Sequence, residues 1–400
     1  MSEHNMSMAV DRIGSLPDEI LIHILSFVPT KQAFVTSILS KRWTHLWCFV
    51  PNLDFSDTKL KNGEDSSRFS NFVNTVFHSQ DCFGSHAINS FILDIDHFFS
   101  GLLPCGTYYI NGWVDILVER KVQYLNLYLH APVNWEETIP PTLPTAIFTS
   151  TTLVVLKLCW FFMGVDFPFP FTFPSLKTLH LKDFYFHQQS DFFMLLDGCP
   201  VLQDLQLSNI NRGHFDFASL LYLSSSRLKN LNRADIIDCH CIFPMKSLSN
   251  LEFLRIQLLE YDQPNDFPTF HNLIHLVINY DGDIVVQVLH HCPKLQNLEL
   301  YRKLQGCNWE DEFIEEDDQE NWVDSEFVPP CFSLNLTTCT IRDFAFAGLQ
   351  HCHIMLAKFI LKNARVLRTM TILCNKKQSK VERLLSSCPR ASTTCQLSIY

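Results

Sequence analysis

The sequence predicts an α/β solenoid, a run of short parallel strands stacked side by side behind a small helical unit at the amino terminus. Two patterns and a composition predict it. The motif LxxLxL returns in LVVLKL from Leu153, LKTLHL from Leu176, LQDLQL from Leu202, LEFLRI from Leu251, LIHLVI from Leu273 and LQNLEL from Leu295, and LKNLNR from Leu228 keeps its first two leucines. Successive starts lie 23, 26, 26, 23, 22 and 22 residues apart, which suits one strand and one return segment per repeat. Ahead of them, residues 16–47 hold three short apolar-periodic segments. Hydrophobic residues make up 47% of the chain and charged residues 18%, enough to build a large core and too apolar for general disorder.

The helical unit follows from local chemistry. Pro17 is tolerated in a first helical turn, Asp18 and Glu19 suit its positive end, and Ile20, Leu21, Ile24, Leu25 and Val28 follow at helical spacing. Pro29 ends that helix, Thr30 is placed to cap a second carrying Phe34, Val35 and Ile38, and Ser40 to cap a third carrying Trp43, Leu46 and Trp47. So small a unit lacks the core to stand alone, so the rest of the chain or a partner is expected to cover its apolar positions.

The repeats have their own logic. A strand alternating inward leucines with outward residues cannot bury its face alone, whereas stacked neighbours make a parallel sheet and a continuous core. Cys199-Pro200 and Cys292-Pro293 are expected to end return segments just before the next strand. Weaker copies flank the array: VPNLDF at Val50, INSFIL at Ile88, VQYLNL at Val122, LTTCTI at Leu336 and VLRTMTI near Leu367. The asparagine that often follows the third apolar position is missing, with Phe161, Phe184, Ile210 and Lys303 there instead. Packing of phenylalanine is therefore expected to hold the spiral.

Charge and cysteine content narrow the function classes. The net charge is -11, but ten acids without a Lys or Arg lie between Gly306 and Pro330, leaving the remainder at -1. That stretch is expected to be an acidic surface loop between the strands at Leu298 and Cys339. A nearly neutral fold argues against nucleic acid as a partner, and residues 16–47, at a net +1, against a helix-turn-helix reader. The most apolar region, Leu153 to Val165, is broken by Lys157 and followed by Asp166, so no membrane span or secretion signal is expected. Fifteen cysteines without a CxxC pair point to reduced, mostly buried thiols rather than disulfides or a metal site. No cofactor is expected, and without GxSxG, P-loop, GxGxxG or HExxH motifs the chain is not expected to be an enzyme.

Residues 16–47 resemble the F-box motif, through Leu16-Pro17, Ile24-Leu25-Ser26, Val28-Pro29 and the run from Ser37 to Trp47 containing SKRW and LW. Asp11-Arg12-Ile13 upstream and VPNLDF downstream resemble plant F-box proteins with leucine-rich repeats, and LAKFILKNARVLRTMTI (356–372) with LLSSCPRASTTCQL (384–397) resembles the FBD domain, apart from Ala391 where glycine is common. The resemblance implies a disordered start at 1–10, an F-box at 11–50, a horseshoe-like leucine-rich-repeat solenoid at 51–332 with its acidic loop at 306–330, and an FBD segment at 333–400. It further implies a substrate-recognition subunit of a Skp–cullin–F-box ubiquitin ligase, or alternatively a scaffold or inhibitor that holds a partner without its ubiquitination. The chain would work in the cytoplasm, the nucleus or both, leaving ubiquitin transfer to its partners. On this reading Leu16, Pro17, Ile20, Leu21, Ile24, Leu25, Val28, Leu39, Trp43 and Leu46 divide between internal core and a Skp-family adaptor, with Lys41 and Arg42 on the polar rim.

The target would meet the outward residues of the repeat strands. In the central strands these include His180 and Lys182, Phe253, Arg255 and Gln257, His275, Val277 and Asn279, and Glu299 and Tyr301. Phe253, Arg255 and Tyr301 are the preferred anchors, because aromatic and Arg side chains are enriched at binding hot spots.

Overall fold

The computed structural model describes residues 12–56, 60, 63–84, 88–95, 103–130, 140–164, 172–214, 228–241, 243, 245–257, 267–279, 282–301, 328–344, 350–374 and 378–400. The expectations for residues 1–10 and for the acidic stretch up to residue 327 lie outside the described residues. The chain divides into two compact units, Met1–His187 and Gln188–Tyr400.

The first unit opens with helix α1 (Asp18–Leu25) and helix α2 (Thr30–Val35), which tightens into a 3-10 turn at Thr36–Ile38. The expected third helix is instead a turn followed by a 3-10 segment, Leu46–Phe49. Its backbone bonds span three residues, from Trp43 N–H to Ser40, Cys48 N–H to His45 and Val50 N–H to Trp47. In that geometry residues three apart eclipse, so Trp43 and Leu46 share one buried side. Pro29, not Thr30, occupies the cap position of α2, and Thr30 is buried as its first residue.

Strand β1 (Asn52–Phe55), helix α3 (Gly63–Cys82), strand β2 (Ser90–Ile95), helix α4 (Leu103–Glu119) and strand β3 (Tyr124–Leu129) follow, then β4 (Val155–Cys159), β5 (Phe162–Met163) and β6 (Thr178–Gln188). Neighbours pair in parallel in the order β1, β2, β3, β4, β6, with the short β5 also on β6. Apolar positions run straight across them: Leu53, Phe91, Leu125, Leu156 and Leu179 form one buried row, and Phe55, Leu93, Leu127, Leu158 and Leu181 the next. Helix α3 lays Phe69, Val73, Val76, Phe77 and Gln80 inward at helical spacing. Phe77 stacks on Phe91 with ring centroids 6.0 Å apart, and Phe69 meets Trp113 of α4 edge-on at 6.2 Å.

The second unit repeats the device. Helix α5 (Gln189–Asp197) leads to β7 (Asp204–His214), β8 (Arg233–Cys239), β9 (Phe253–Ile256) and β10 (His275–Asn279), then α6 (Gly282–His290) and β11 (Asn297–Tyr301). Helix α7 (Pro330–Leu334), β12 (Thr338–Phe344), α8 (Gln350–Asn363), β13 (Thr369–Cys374), α9 (Gln378–Ser386) and β14 (Gln396–Ile399) complete it. Strands β7 to β14 pair in parallel in chain order. The FBD-like segment thus adds three further strands to the sheet, with Leu298, Cys339, Met370 and Leu397 in one row. Strands β11 and β12 are direct, parallel neighbours.

One repeat is shifted from its expected frame. Leu205 pairs with Ala234 and Leu207 with Ile236, so the repeat reads Leu231, Ala234, Ile236 and starts at Leu231 rather than Leu228. Leu228 takes the place held elsewhere by Cys199 and Cys292, whose carbonyls each accept the N–H of the leucine three residues on. Those cysteines also end the helices before them: Cys199 Sγ donates to the Leu195 carbonyl at 3.2 Å and Cys292 Sγ to that of Val288 at 3.3 Å.

A side-chain ladder does exist, at the opposite end of the strands from the missing asparagine. The residue before the first apolar position donates to the preceding repeat's backbone: Asn230 Nδ2 to the Pro200 carbonyl (3.1 Å), Asn250 Nδ2 to Lys229 (3.2 Å) and Asn335 Nδ2 to Pro293 (2.9 Å). In the first unit Ser175 Oγ does the same to Thr151 at 2.9 Å. Each such bond contributes about 1 kcal/mol. Packing still holds the other end, where Phe161, Phe184 and Ile210 are fully buried. The residue before each of them turns left-handed, with φ of 64° at Trp160, 48° at Asp183 and 53° at Asn209, and Asp238 at 51° matches them on β8.

Asn209 is exposed, with its Oδ1 accepting from Asn211 Nδ2 at 3.3 Å, so substitutions there chiefly test the left-handed backbone. Asn209→Gly should leave the urea midpoint near wild type, while Asn209→Val should cost about 1 to 2 kcal/mol, because a β-branched residue resists that conformation.

Candidate functional site

The helical unit sorts its apolar residues into two sides. Leu21, Leu25, Trp43 and Leu46 are buried with Ala33 and Trp47, whereas Pro17, Ile20, Ile24 and Leu39 are exposed and Leu16 and Val28 half-buried. Ile20, Ile24 and Phe27 follow at helical spacing, and Phe27 (74%) and Ile38 (80%) are more exposed than Ile20, Ile24 or Leu39. For Phe27 the spacing after Ile20 and Ile24 was the available signal. The buried side is fixed to the repeats: Thr30 Oγ1 accepts the Asp54 N–H of β1 at 2.8 Å, Gln80 Nε2 of α3 donates to the Val50 carbonyl at 3.0 Å, and Phe34 meets Trp47 and Phe72 edge-on.

Lys41 is exposed, but Arg42 turns back onto its own chain. Its guanidinium donates to Asp18 Oδ1 at 2.8 Å and to the carbonyls of Gly14 and Leu16. Arg42 thereby sets the path of Leu16-Pro17. Arg42→Ala should destabilise the fold by about 1 to 2 kcal/mol, read from denaturation midpoints, with faster amide exchange at residues 14–20.

The second unit brings together most of the remaining candidates. Rows across the sheet align Asp204, Arg233, Phe253, His275, Asn297 and Thr338, and beside them Gln206, Asp235, Arg255, Val277, Glu299 and Thr340. Arg233 lies 3.8 Å over the Phe253 ring and 3.8 Å from Asp204, and Phe253 meets His275 edge-on at 5.0 Å. Arg255 lies 3.9 Å from Asp235 and 5.7 Å from the centre of the Tyr301 ring, and Arg342 bonds Glu299. Gln257 turns its side-chain oxygen to the Asp238 N–H at 3.2 Å, Asn279 is half-buried beside Tyr301, and Val277 is buried between Arg255 and Glu299. Sequence reasoning missed Arg233 and Asp235 because it set that repeat three residues early.

Burial, offset by Glu299 and reinforced by Arg233, lowers the pKa of His275. Burial raises Tyr301 to about 12, against the pull of Arg255. His275 therefore favours its neutral form in the fold, while the unfolded chain takes up a proton near pH 6.5. The stability this contributes is present above about pH 6.5 and lost as pH falls through the lower folded value. His275→Gln should flatten the fall in melting temperature between about pH 7.5 and 5 relative to wild type.

His180 and Lys182 stand on β6 in the first unit. His180 aligns with Lys157 and Asn126, and Lys182 with Cys159 and Tyr128. Lys157 lies 5.7 Å from the Tyr124 ring centre and Lys182 5.2 Å from that of Tyr128. The Tyr128 hydroxyl beside it raises the Lys182 pKa despite partial burial, so the ammonium is charged. The twelve described cysteines are free, and the described residues include no cluster of three or more groups suited to a metal.

A small helical module with an exposed apolar face, joined to stacked parallel-strand repeats, defines an F-box protein with leucine-rich repeats. Residues 13–54 match the F-box domain model, 110–241 the leucine-rich repeats of FBD-associated F-box protein At5g56370, 324–372 the FBD model and 366–389 a leucine-rich-repeat model. The chain is 30% identical over 443 residues to FBD-associated F-box protein At4g10400 of Arabidopsis thaliana, covering 97% of this chain and 99% of that one. Putative FBD-associated F-box protein At5g56440 from the same plant is 29% identical over 458 residues, covering 97% and 100%. Against F-box/LRR-repeat protein At4g14103, also from Arabidopsis thaliana, identity is 36% over 231 residues, and the match spans 56% of each chain. The chain belongs to the plant FBD-associated F-box/LRR-repeat family.

Proposed function

We propose that this chain is the substrate-recognition subunit of a Skp–cullin–F-box ubiquitin ligase. Its F-box docks on a Skp-family adaptor, its repeats hold a target protein for ubiquitination and proteasomal degradation, and the chain itself performs no catalysis. The observation that carries this reading is the division of the F-box: one side is fastened to β1 and α3, while Ile20, Ile24, Phe27, Ile38 and Leu39 remain exposed. A row of exposed apolar side chains on a module otherwise anchored to its own chain is suited to a protein partner. Leu16 and Pro17 border that face. Leu21, Leu25, Trp43 and Leu46 support it from behind. Reduced, buried thiols suit the cytoplasm or nucleus as its compartment.

The test is capture of a Skp-family adaptor by the full chain. Each covered apolar side chain contributes about 1.5 to 3 kcal/mol, so Ile20→Asp with Ile24→Asp should weaken capture by about a hundredfold or more. Wild-type capture by the folded double variant would sink the docking assignment. In cells, a bound target should be short-lived, and either proteasome inhibition or the same double variant should lengthen its half-life. A target equally stable in every arm would remove degradation from the reading.

A further inference from the structure

The outward strand faces of the two units differ in how their cations are used. In the second unit Arg233, Arg255 and Arg342 each lie within 4 Å of a carboxylate, on Asp204, Asp235 and Glu299, so that face is largely self-neutralised. In the first unit, among the described residues, Lys157 and Lys182 rest on tyrosine rings and have no ion-pair partner within that distance. The carboxylates near them are engaged elsewhere: Asp94 with His130 at 2.9 Å, and Asp183 with the Cys159 thiol at 3.6 Å, although Asp183 also acts on Lys182 at longer range. Between Tyr124 and Tyr128 on β3, Asn126 aligns with Lys157, and its Oδ1 is buried without a hydrogen-bond donor among the described residues. A buried acceptor in that state lacks a donor that a ligand can bring.

We propose that this face of the first unit binds an extended, carboxylate-rich segment of the target protein. Acidic side chains lie on Lys157 and Lys182, and a main-chain N–H reaches Asn126 Oδ1. Tyr124 and Tyr128 hold the two ammonium groups in place and flank the bound backbone. A polypeptide meets both requirements at once, because it carries a donor on every residue except proline and can place acids at alternate positions along one side. Strand register places Asn126 level with Lys157, and Tyr128 level with Lys182, two residues further along. This inference rests on the receptor function proposed above and supplies the chemistry of its target.

The test uses the full chain expressed with its adaptor. The probe is a fluorescein-labelled peptide of alternating Glu and Ser, compared with a Gln-Ser peptide of equal length, with binding read by anisotropy. The acidic peptide should bind about tenfold more tightly than the neutral one and weaken as salt rises. Lys157→Gln with Lys182→Gln should abolish that preference, the corresponding pair of Arg substitutions should retain it, and Arg255→Gln should leave it unchanged. Equal binding of the two peptides by wild type, or full preference in the Gln variant, overturns the proposal. Adaptor capture, read on the same samples, separates the two ideas: peptide preference without capture sinks the receptor reading and leaves the acidic-segment site standing.

Discussion

A parallel strand with one apolar face cannot be stable by itself, and every other feature of this protein follows from the need to cover that face. Leu205 gains its burial from Ala234, that residue from Leu254, and so on to Met370. The rows make each repeat's stability depend on its neighbours. They also fix the register, since a slip of one residue would turn every leucine outward. With register fixed, the outward residues fall into rows of their own, which is how side chains far apart in sequence come to stack.

Those outward rows show two uses of charge. In the second unit Arg233 and Arg255 lie between acids and aromatic rings and Arg342 bonds Glu299, so the face is structured but electrostatically quiet. In the first, ammonium groups rest on phenol rings and keep their charge available. Phe253, Arg255 and Tyr301 have hot-spot identities and each already has a neighbour on that face, Phe253 in Arg233 and His275, and Arg255 in Asp235 and the Tyr301 ring. Burial pushes the Tyr301 hydroxyl up to about 12, and its ring centre lies 5.7 Å from Arg255.

Much of this was legible in the sequence because a strand has a period of two and leaves its mark within six residues. Every strand motif, strong or weak, corresponds to a strand in the sheet. What failed was local. Leu228 and Leu231 are both buried and three apart, so either could open the repeat, and Arg233 in the third place hid the true frame. The third helix of the F-box was misread because eclipsed residues three apart in a 3-10 turn resemble one face of an α-helix. The asparagine ladder escaped because its members sit before the leucines, where amides look like ordinary turn residues. Arg42 looked like a rim charge, since no sequence pattern links it to carbonyls at residues 14 and 16.

The bond from the Asp54 N–H to Thr30 Oγ1 closes the start of the sheet. Strand β1 pairs with β2 along one side, and the F-box hydroxyl occupies an amide on the other. An uncovered strand edge recruits foreign strands without regard to sequence. The F-box hydroxyl therefore covers part of the first strand's free edge, and removing the F-box would leave that amide bare.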